Sequence, residues 1–533
     1  MRPAGIATVV AMRRRHLLPA LSLSTVVLST VVAGCAPLLA ANPRYVTDSG
    51  ARPQGAATTS KAPEGPPAIS VPKKDLTWHE CTSRVFGDAT VPAVPGVILD
   101  CSDYDADLDS LGGSSGTVSI GVVRARLAST PADAGPIVMT TGSDIPTSHQ
   151  LPVWLQRGGV DLLKTRPVVA VDRRGMGMSG PLSCVSSNDR QDLLDQAQFL
   201  SGDDQVANLA KVATSATTDC TDSIAPGESA YDNAHSAEDL ERLRSTWDVP
   251  ALAVLGIGNG AQVALAYAAS HPTKVARLVL DSPLPLGISA EATAEQRIKG
   301  QQAALDAFAA QCVANNCPLG PDPKGAIDGM LADARAGRGA GGASTAGLVE
   351  SITTALGYPR GDGLANTLSL AGALAAARSG DATALNALST TAEETRQSDG
   401  QFVNRCDDSI NRPTPDRVRE LLVAWPKKYP QFGAVGALSL APCLSWPSSP
   451  APAPPKDLKV PILLLGTHND AIVGGDGVAA VAAMAINAGN NSRRVMWQGT
   501  GHGTIVYTGC ALPPVQAYLN TGKLPETDTF CPA

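Results

Sequence analysis

Four short segments hold the residues whose types could do chemistry. Gly499-Thr500-Gly501-His502-Gly503 sets an imidazole in a glycine loop, where it could carry a proton. Asp470, in Asp470-Ala471-Ile472-Val473-Gly474, comes four residues after the apolar run 460–466. A carboxylate there could orient such a histidine and stabilise its imidazolium. The third segment, Gly256-Ile257-Gly258-Asn259-Gly260, lies between an apolar run and an alanine-rich stretch. A Gly-x-Ser-x-Gly turn in that setting throws its serine out to react, but the central residue here is a glycine with no hydroxyl. The same spacing fits a phosphate-cradling dinucleotide loop, for which Asp281, ending the next apolar run, stands at about the ribose distance. A turn in the middle of the fold favours the first reading, and Asp281 fits it equally well. A fourth segment, Thr141-Gly142-Ser143-Asp144-Ile145-Pro146, offers one hydroxyl and one carboxylate at the end of another apolar run.

These residues need strand ends and helix starts to hold them. Val118, Ile120 and Val122 alternate with other residues over 117–123, as in a half-buried strand. Pro136-Ile137-Val138-Met139 and Pro167-Val168-Val169-Ala170-Val171 are instead continuously apolar, as are 251–255 and 460–466, and 276–280 is apolar but for Arg277. Such runs suit strands covered on both faces, the condition of a parallel sheet. With a helical stretch at 237–243, another at 261–270 and a further strand at 494–497, they predict a doubly wound, mostly parallel α/β sheet. Between 286 and 455 the pattern turns to alanine-rich helical segments (303–313, 325–335, 364–378) and a low-complexity loop at 337–344. The expected organisation is a core over 76–285 and 456–533, interrupted by a helical lid over 286–455. A ligand site is expected at the carboxyl ends of the strands, beneath that lid.

Residues 1–35 read as a targeting segment: Arg13, Arg14 and Arg15 precede an apolar run from Leu17 to Val32. Met1 and Met12 both fit as the start. The run ends in Val32-Ala33-Gly34-Cys35, which resembles a bacterial lipobox and would make Cys35 a lipidated N-terminus; a plain transmembrane anchor is the competing reading. Residues 36–75, rich in Pro, Ala, Gly, Ser and Thr, are expected to be a flexible tether. With 42 basic against 49 acidic residues and no basic run in the mature part, the chain is not expected to bind nucleic acid. Removing Cys35 from the eleven cysteines leaves an even ten, as disulfides in an exported protein require. No Cys-x-x-Cys pair occurs and the histidines are not grouped with the cysteines, so neither a metal nor a cofactor is expected. Connectivity is not fixed by the sequence. Neighbour-to-neighbour pairing, which closes short loops, is the expected pattern: Cys81 with Cys101, Cys184 with Cys220, Cys312 with Cys317, Cys406 with Cys443, Cys510 with Cys531.

Over roughly residues 78 to 533 the chain resembles the secreted tripeptidyl-aminopeptidase-like branch of the α/β-hydrolases, serine peptidases related to proline iminopeptidases, in its actinobacterial lipoprotein form. The resemblance rests on Trp78 with Cys81, Val171-Asp172-Arg173-Arg174-Gly175-Met176-Gly177, the turn at 256–260, Leu280-Asp281, the close pair Cys312 and Cys317, and His502 with Cys510 and Cys531. It implies an α/β-hydrolase fold with an inserted lid, in which Gly258 stands at the position of the nucleophilic serine. It further implies that His502 is the triad histidine, that Asp470 is the acid, and that Gly142, Ser143 and Asn259 form the oxyanion region. Where the family usually has a glycine run in that loop, Asp144 brings a carboxylate, the wrong sign for stabilising an oxyanion.

The expected function is therefore that of a pseudoenzyme, lipid-anchored on the outer face of the cell membrane and binding a peptide or a cell-envelope protein. Two alternatives stand beside it. One is an active hydrolase in which another residue, Ser143, replaces the serine. The other is a structural component of an envelope complex whose pocket is irrelevant.

Overall fold

The apolar runs become the middle of a ten-stranded sheet. A computed structural model of the 533-residue chain describes residues 66–448 and 450–533; the targeting segment, Cys35 and all but the last residues of the tether lie outside them. In chain order the strands are β1 (His79–Glu80), β2 (Val97–Asp107), β3 (Thr117–Leu127), β4 (Ile137–Thr140), β5 (Val168–Val171), β6 (Leu252–Ile257), β7 (Val275–Asp281), β8 (Ile462–Asn469), β9 (Ser492–Thr500) and β10 (Thr529–Cys531). Their spatial order is β1-β2-β3-β5-β4-β6-β7-β8-β9-β10. From β5 through β10 every pairing is parallel, whereas β1, β2 and β3 pair antiparallel and β3 joins β5 antiparallel.

Alternate residues of a strand point to opposite faces, so a run buried on both sides must be apolar throughout. In β8, Ile462 and Leu464 enter the hydrophobic cluster on one face of the sheet, and Leu463 and Leu465 the cluster on the other. The same split divides β6: Leu252 and Val254 face one way, Ala253, Leu255 and Ile257 the other.

Strands β7 and β8 are separated by the helical insertion, which runs from the 25-residue helix Ala290–Ala314 to the short helix Gly433–Leu438. It has its own core, with Phe308, Leu331, Ile352, Leu374 and Trp425 at its centre. Val206 and Leu209, from the helix Gln205–Ile224 that precedes β6, pack into that same core. The roof over the sheet thus recruits residues from before the turn at 256–260 as well as from the insertion. At 337–344 the low-complexity stretch carries a 3-10 turn, Ala340–Gly342, and leads into the helix Thr345–Gly357 through Ser344, which caps it by accepting the Gly347 N–H.

The ten cysteines outside the targeting segment form the five neighbour-to-neighbour disulfides: Cys81–Cys101, Cys184–Cys220, Cys312–Cys317, Cys406–Cys443 and Cys510–Cys531. Such bonds persist in oxidising compartments, as expected of an exported protein. Among the described residues no helix is long and apolar enough to cross a membrane.

Candidate functional site

Gly258 sits at the tip between β6 and the helix Asn259–Ser270, with φ 57° and ψ −121°. This is the sharp strand-to-helix turn of a nucleophile elbow. Its flanking glycines are required by close approach: a Cβ on Gly256 would lie 2.5 Å from the Gly260 carbonyl oxygen, and one on Gly260 would lie 2.0 Å from that of Thr140. The backbone of the elbow is complete, and only the reacting side chain is missing.

The loops after β8 and β9 bring Asp470 and His502 to this turn. Asp470 is fully buried, and its Oδ1 accepts the N–H groups of Ile472 (2.9 Å) and Val473 (3.0 Å). Those bonds fix the carboxylate. Nδ1 of His502 lies 3.0 Å from Asp470 Oδ2 and 3.2 Å from Oδ1. Tyr358, at the end of the helix Thr345–Gly357, stands edge-on to the imidazole, and the His502 N–H donates to the Gly357 carbonyl at 2.7 Å. The insertion therefore touches the histidine directly.

Asp281 serves this arrangement as a positioning residue, a role that its place at the end of an apolar run does not reveal. Its two carboxylate oxygens accept the N–H groups of Thr504 and Ile505, both at 2.8 Å, and its carbonyl accepts the Gly258 N–H at 2.8 Å. It ties the histidine loop to the elbow and is fully buried, so the dinucleotide reading of the turn and of Asp281 does not hold. In the sequence it shows only as an acidic residue closing a mostly apolar strand.

The decisive side chain is Asp144. Its Oδ2 accepts the N–H of Asn259 at 2.6 Å and lies 3.4 Å from Nε2 of His502, an ion-pair contact without the alignment of a hydrogen bond. A Cβ built on Gly258 would fall 1.9 Å from this oxygen and 2.6 Å from His502 Nε2. The carboxylate thus occupies the space that a nucleophile's side chain would need, and it takes the backbone donor that an oxyanion would need. The other donors of the region are also engaged: Gly142 N–H with Thr140 Oγ1 at 3.2 Å, and Ser143 N–H with Asn259 Oδ1 at 2.9 Å. Ser143 Oγ makes no hydrogen bond among the described residues.

Several neighbours hold Asp144 in place. Gln401, from the helix Asp399–Asp407, donates to its carbonyl at 2.8 Å. Arg173, from the turn after β5, donates to Asn259 Oδ1 at 2.6 Å and to Asp408 at 2.7 Å. The resemblance had marked this arginine turn without giving it a role.

The electrostatics follow from two carboxylates flanking one buried imidazole. Burial pulls the His502 pKa down, but Asp470 and Asp144 outweigh it and lift the imidazole to about 10. Burial pushes the Asp144 carboxyl up, but His502 and the Asn259 N–H hold it below the usual carboxylate range. At neutral pH the centre is a carboxylate–imidazolium–carboxylate row.

Beside Asp144, Ser143 and Asn259 opens a cavity of about 320 Å³, roofed by the insertion and within the size range of small-ligand sites.

Residues 148–330 match the family model described as alpha/beta hydrolase fold, and residues 429–531, which carry Asp470 and His502, match the one described as TAP-like protein. Both matched models are of α/β-hydrolases, and the C-terminal one is TAP-like. Over 164 residues this chain is 28% identical to a protein named serine protease Hip1 in Mycobacterium tuberculosis and in Mycobacterium bovis. The aligned part is 30% of this chain and 32% of those relatives, so the likeness spans about a third of their length. Among solved structures, esterase E22 overlaps 80% of this chain and 100% of its own, with a TM-score of 0.38 and 13% identity. Esterase RhEst1 from Rhodococcus sp. ECU1013 overlaps 79% and 99%, with a TM-score of 0.34 and 16% identity.

Proposed function

We propose that this TAP-like protein is a catalytically silent member of its family that binds a peptide in the cavity under its helical insertion, from the outer face of the cell membrane. One observation carries the reading: the Asp144 carboxylate lies where a side chain at 258 would go, bound to the Asn259 N–H and paired with His502. Acyl transfer then lacks each of its parts. No hydroxyl stands at the elbow, so no acyl-enzyme can form there. The backbone donor that would stabilise an oxyanion already holds a negative charge. An imidazolium has no lone pair with which to take a proton from a nucleophile or from water.

The mycobacterial relatives are named serine proteases, and this chain has glycine at the serine position. Peptide is carried over from them as the ligand class, and hydrolysis is not. A hydrolase built on Ser143 would need a base, and the one imidazole near it is spent on two carboxylates. Envelope localisation rests on the lipobox-like segment ending in Cys35. Cys35→Ala should release the protein from membranes or leave an uncleaved precursor, and a mature protein without acyl mass would remove the anchor from the proposal.

The test uses the purified full chain, a fluorophosphonate probe and tripeptide p-nitroanilides. No covalent label and no turnover above a heat-inactivated control are expected. Label lost in Ser143→Ala, or turnover lost in His502→Ala, would contradict the reading. A protein that is silent and also binds no peptide would leave only the structural envelope role.

A further inference from the structure

We infer that the cavity beside Asp144 is built to hold a small peptide by a carboxylate, gripped by Arg297, Arg396 and Arg405. The inference rests on the reading of this cavity as a peptide site and names the group that is recognised there.

Three separate helices bring the arginines together: Ala290–Ala314, Thr383–Arg396 and Asp399–Asp407. All three side chains line the cavity. Arg396 is 4% exposed and pairs with Glu350, while its Nε is buried with no partner among the described residues. Arg297 makes one hydrogen bond among the described residues, from Nε to the Ile472 carbonyl at 3.2 Å. Arg405 likewise makes one, from Nη2 to the Arg396 carbonyl at 2.6 Å. Neither of these two forms an ion pair among the described residues. Most N–H groups of two guanidinium forks are therefore unused at the cavity wall.

Partners already committed at this end set the sign of the ligand. Arg396 is paired with Glu350, and Asp144, Asp470 and Asp281 hold His502 and its loop, which leaves Arg297 and Arg405 without a carboxylate partner among the described residues. Burial, and then the mutual repulsion of the three arginines, lowers the pKa of Arg297 and brings that of Arg405 to about 10. A cation partly withdrawn from water is best tolerated when it is paired, and half-buried Arg297 and Arg405 have no anion of their own among the described residues. A planar carboxylate matches the guanidinium fork with two parallel hydrogen bonds.

Another part of the wall has the opposite sign. Asp195 and Glu393 also line the cavity, and neither forms an ion pair among the described residues; the Asp195 carboxylate accepts from Gln191 at 2.8 Å. Burial and then Asp195 raise the Glu393 carboxyl, as for two acids without a cation. A cavity with spare cations at one wall and spare carboxylates at another suits a dipolar guest, and a short peptide with a free amine and a free carboxylate is one.

The experiment titrates the full-length protein by calorimetry with Ala-Ala-Ala, with its C-terminal amide, and with Ala-Ala-Glu amide. The free acid should bind about tenfold or more tightly than the amide, the loss expected when a charged hydrogen-bonding partner is removed. Ala-Ala-Glu amide binding like the free acid would assign the grip to an acidic side chain, and binding like the amide would assign it to the C-terminus. Arg405→Gln should weaken the acid and leave the amide unchanged, so that the two converge. Equal binding of acid and amide by the wild-type protein overturns the carboxylate grip while leaving the peptide site standing. No binding of any of the three overturns both. The acid-to-amide comparison needs no variant and so decides even where Arg405→Gln fails to fold.

Discussion

At position 258 the backbone conformation costs a residue with a Cβ roughly 1–3 kcal/mol, and glycine adopts it with little penalty. The Asp144 oxygen, 1.9 Å from that missing Cβ, adds a collision that only movement of the carboxylate can relieve. Gly258→Ser should therefore destabilise the fold by about 2–4 kcal/mol, through backbone strain and the displaced ion pair together. It should also fail to produce a peptidase. Chemical denaturation and a tripeptide assay check the two halves, and a serine variant as stable as the parent would mean that Asp144 does not occupy the elbow. The double variant Asp144→Gly with Gly258→Ser removes the collision. Its loss should be smaller than the sum of the two single losses, since the residues touch. It should also accept the fluorophosphonate label that Gly258→Ser alone refuses, because the hole is vacated and the histidine can lose its proton. Additive losses with no label would separate the two residues.

Among the elements, the insertion is fastened to the catalytic loops at close quarters. A Cβ on Gly300, in the long helix Ala290–Ala314, would lie 2.1 Å from the Asp470 carbonyl oxygen. Helix propensity alone would favour Gly300→Ala by about 1 kcal/mol, but overpacking against backbone costs about 1–3 kcal/mol. The contact should win, giving a net loss of up to about 2 kcal/mol in urea denaturation; a stabilised variant would show that the helix can lift off the acid loop freely. β4, β5, β6 and β8 were legible in the sequence because burial on both faces leaves no position for polar residues along their apolar runs, whereas β7 and β9 showed only as shorter apolar stretches beside Arg277 and Arg494. β2 was not legible, since Val97–Asp107 carries four aspartates. Asp100 among them is buried only because Arg124 and Arg126 from β3 hold it, a pairing that no local pattern reveals. The site divides in the same way. His502 and Asp470 stand out as polar residues at strand ends, and Asp144 was visible as a carboxylate in the wrong loop. Its entry into the elbow depends on three segments meeting in space, as do Asp281's hold on the histidine loop and Arg173's hold on Asn259.

For the molecule as a whole, the charged row at its centre sets a pH dependence. His502 has a folded pKa of about 10, above the ordinary value of 6.5, so its contribution to stability is full below pH 6.5 and is lost as pH rises toward 10. Asp144 is lowered from its ordinary 3.8, so its contribution holds above that value and is lost as pH falls further. Asp407, pushed up to about 7 by burial, adds a decline with rising pH between about 4 and 7. The difference between wild type and His502→Asn isolates the histidine: it should shrink steadily from pH 6.5 to 10, measured by denaturant unfolding at each pH, and a constant difference would contradict the assignment. The five disulfides act on the whole chain by limiting its unfolded state, about 2–4 kcal/mol each. Reduction should thus lower the melting temperature at every pH without altering that slope. Most direct of all is the NMR titration of the His502 ring, assigned among the seven histidines by its loss in His502→Gln. The account predicts an imidazolium that persists through pH 8 and titrates near 10, falling toward the ordinary range in Asp144→Asn. A neutral ring at pH 8 in the wild-type protein, with a midpoint at or below 6.5, would mean that the centre is free to act as a base and would contradict the claim that Asp144 has closed it.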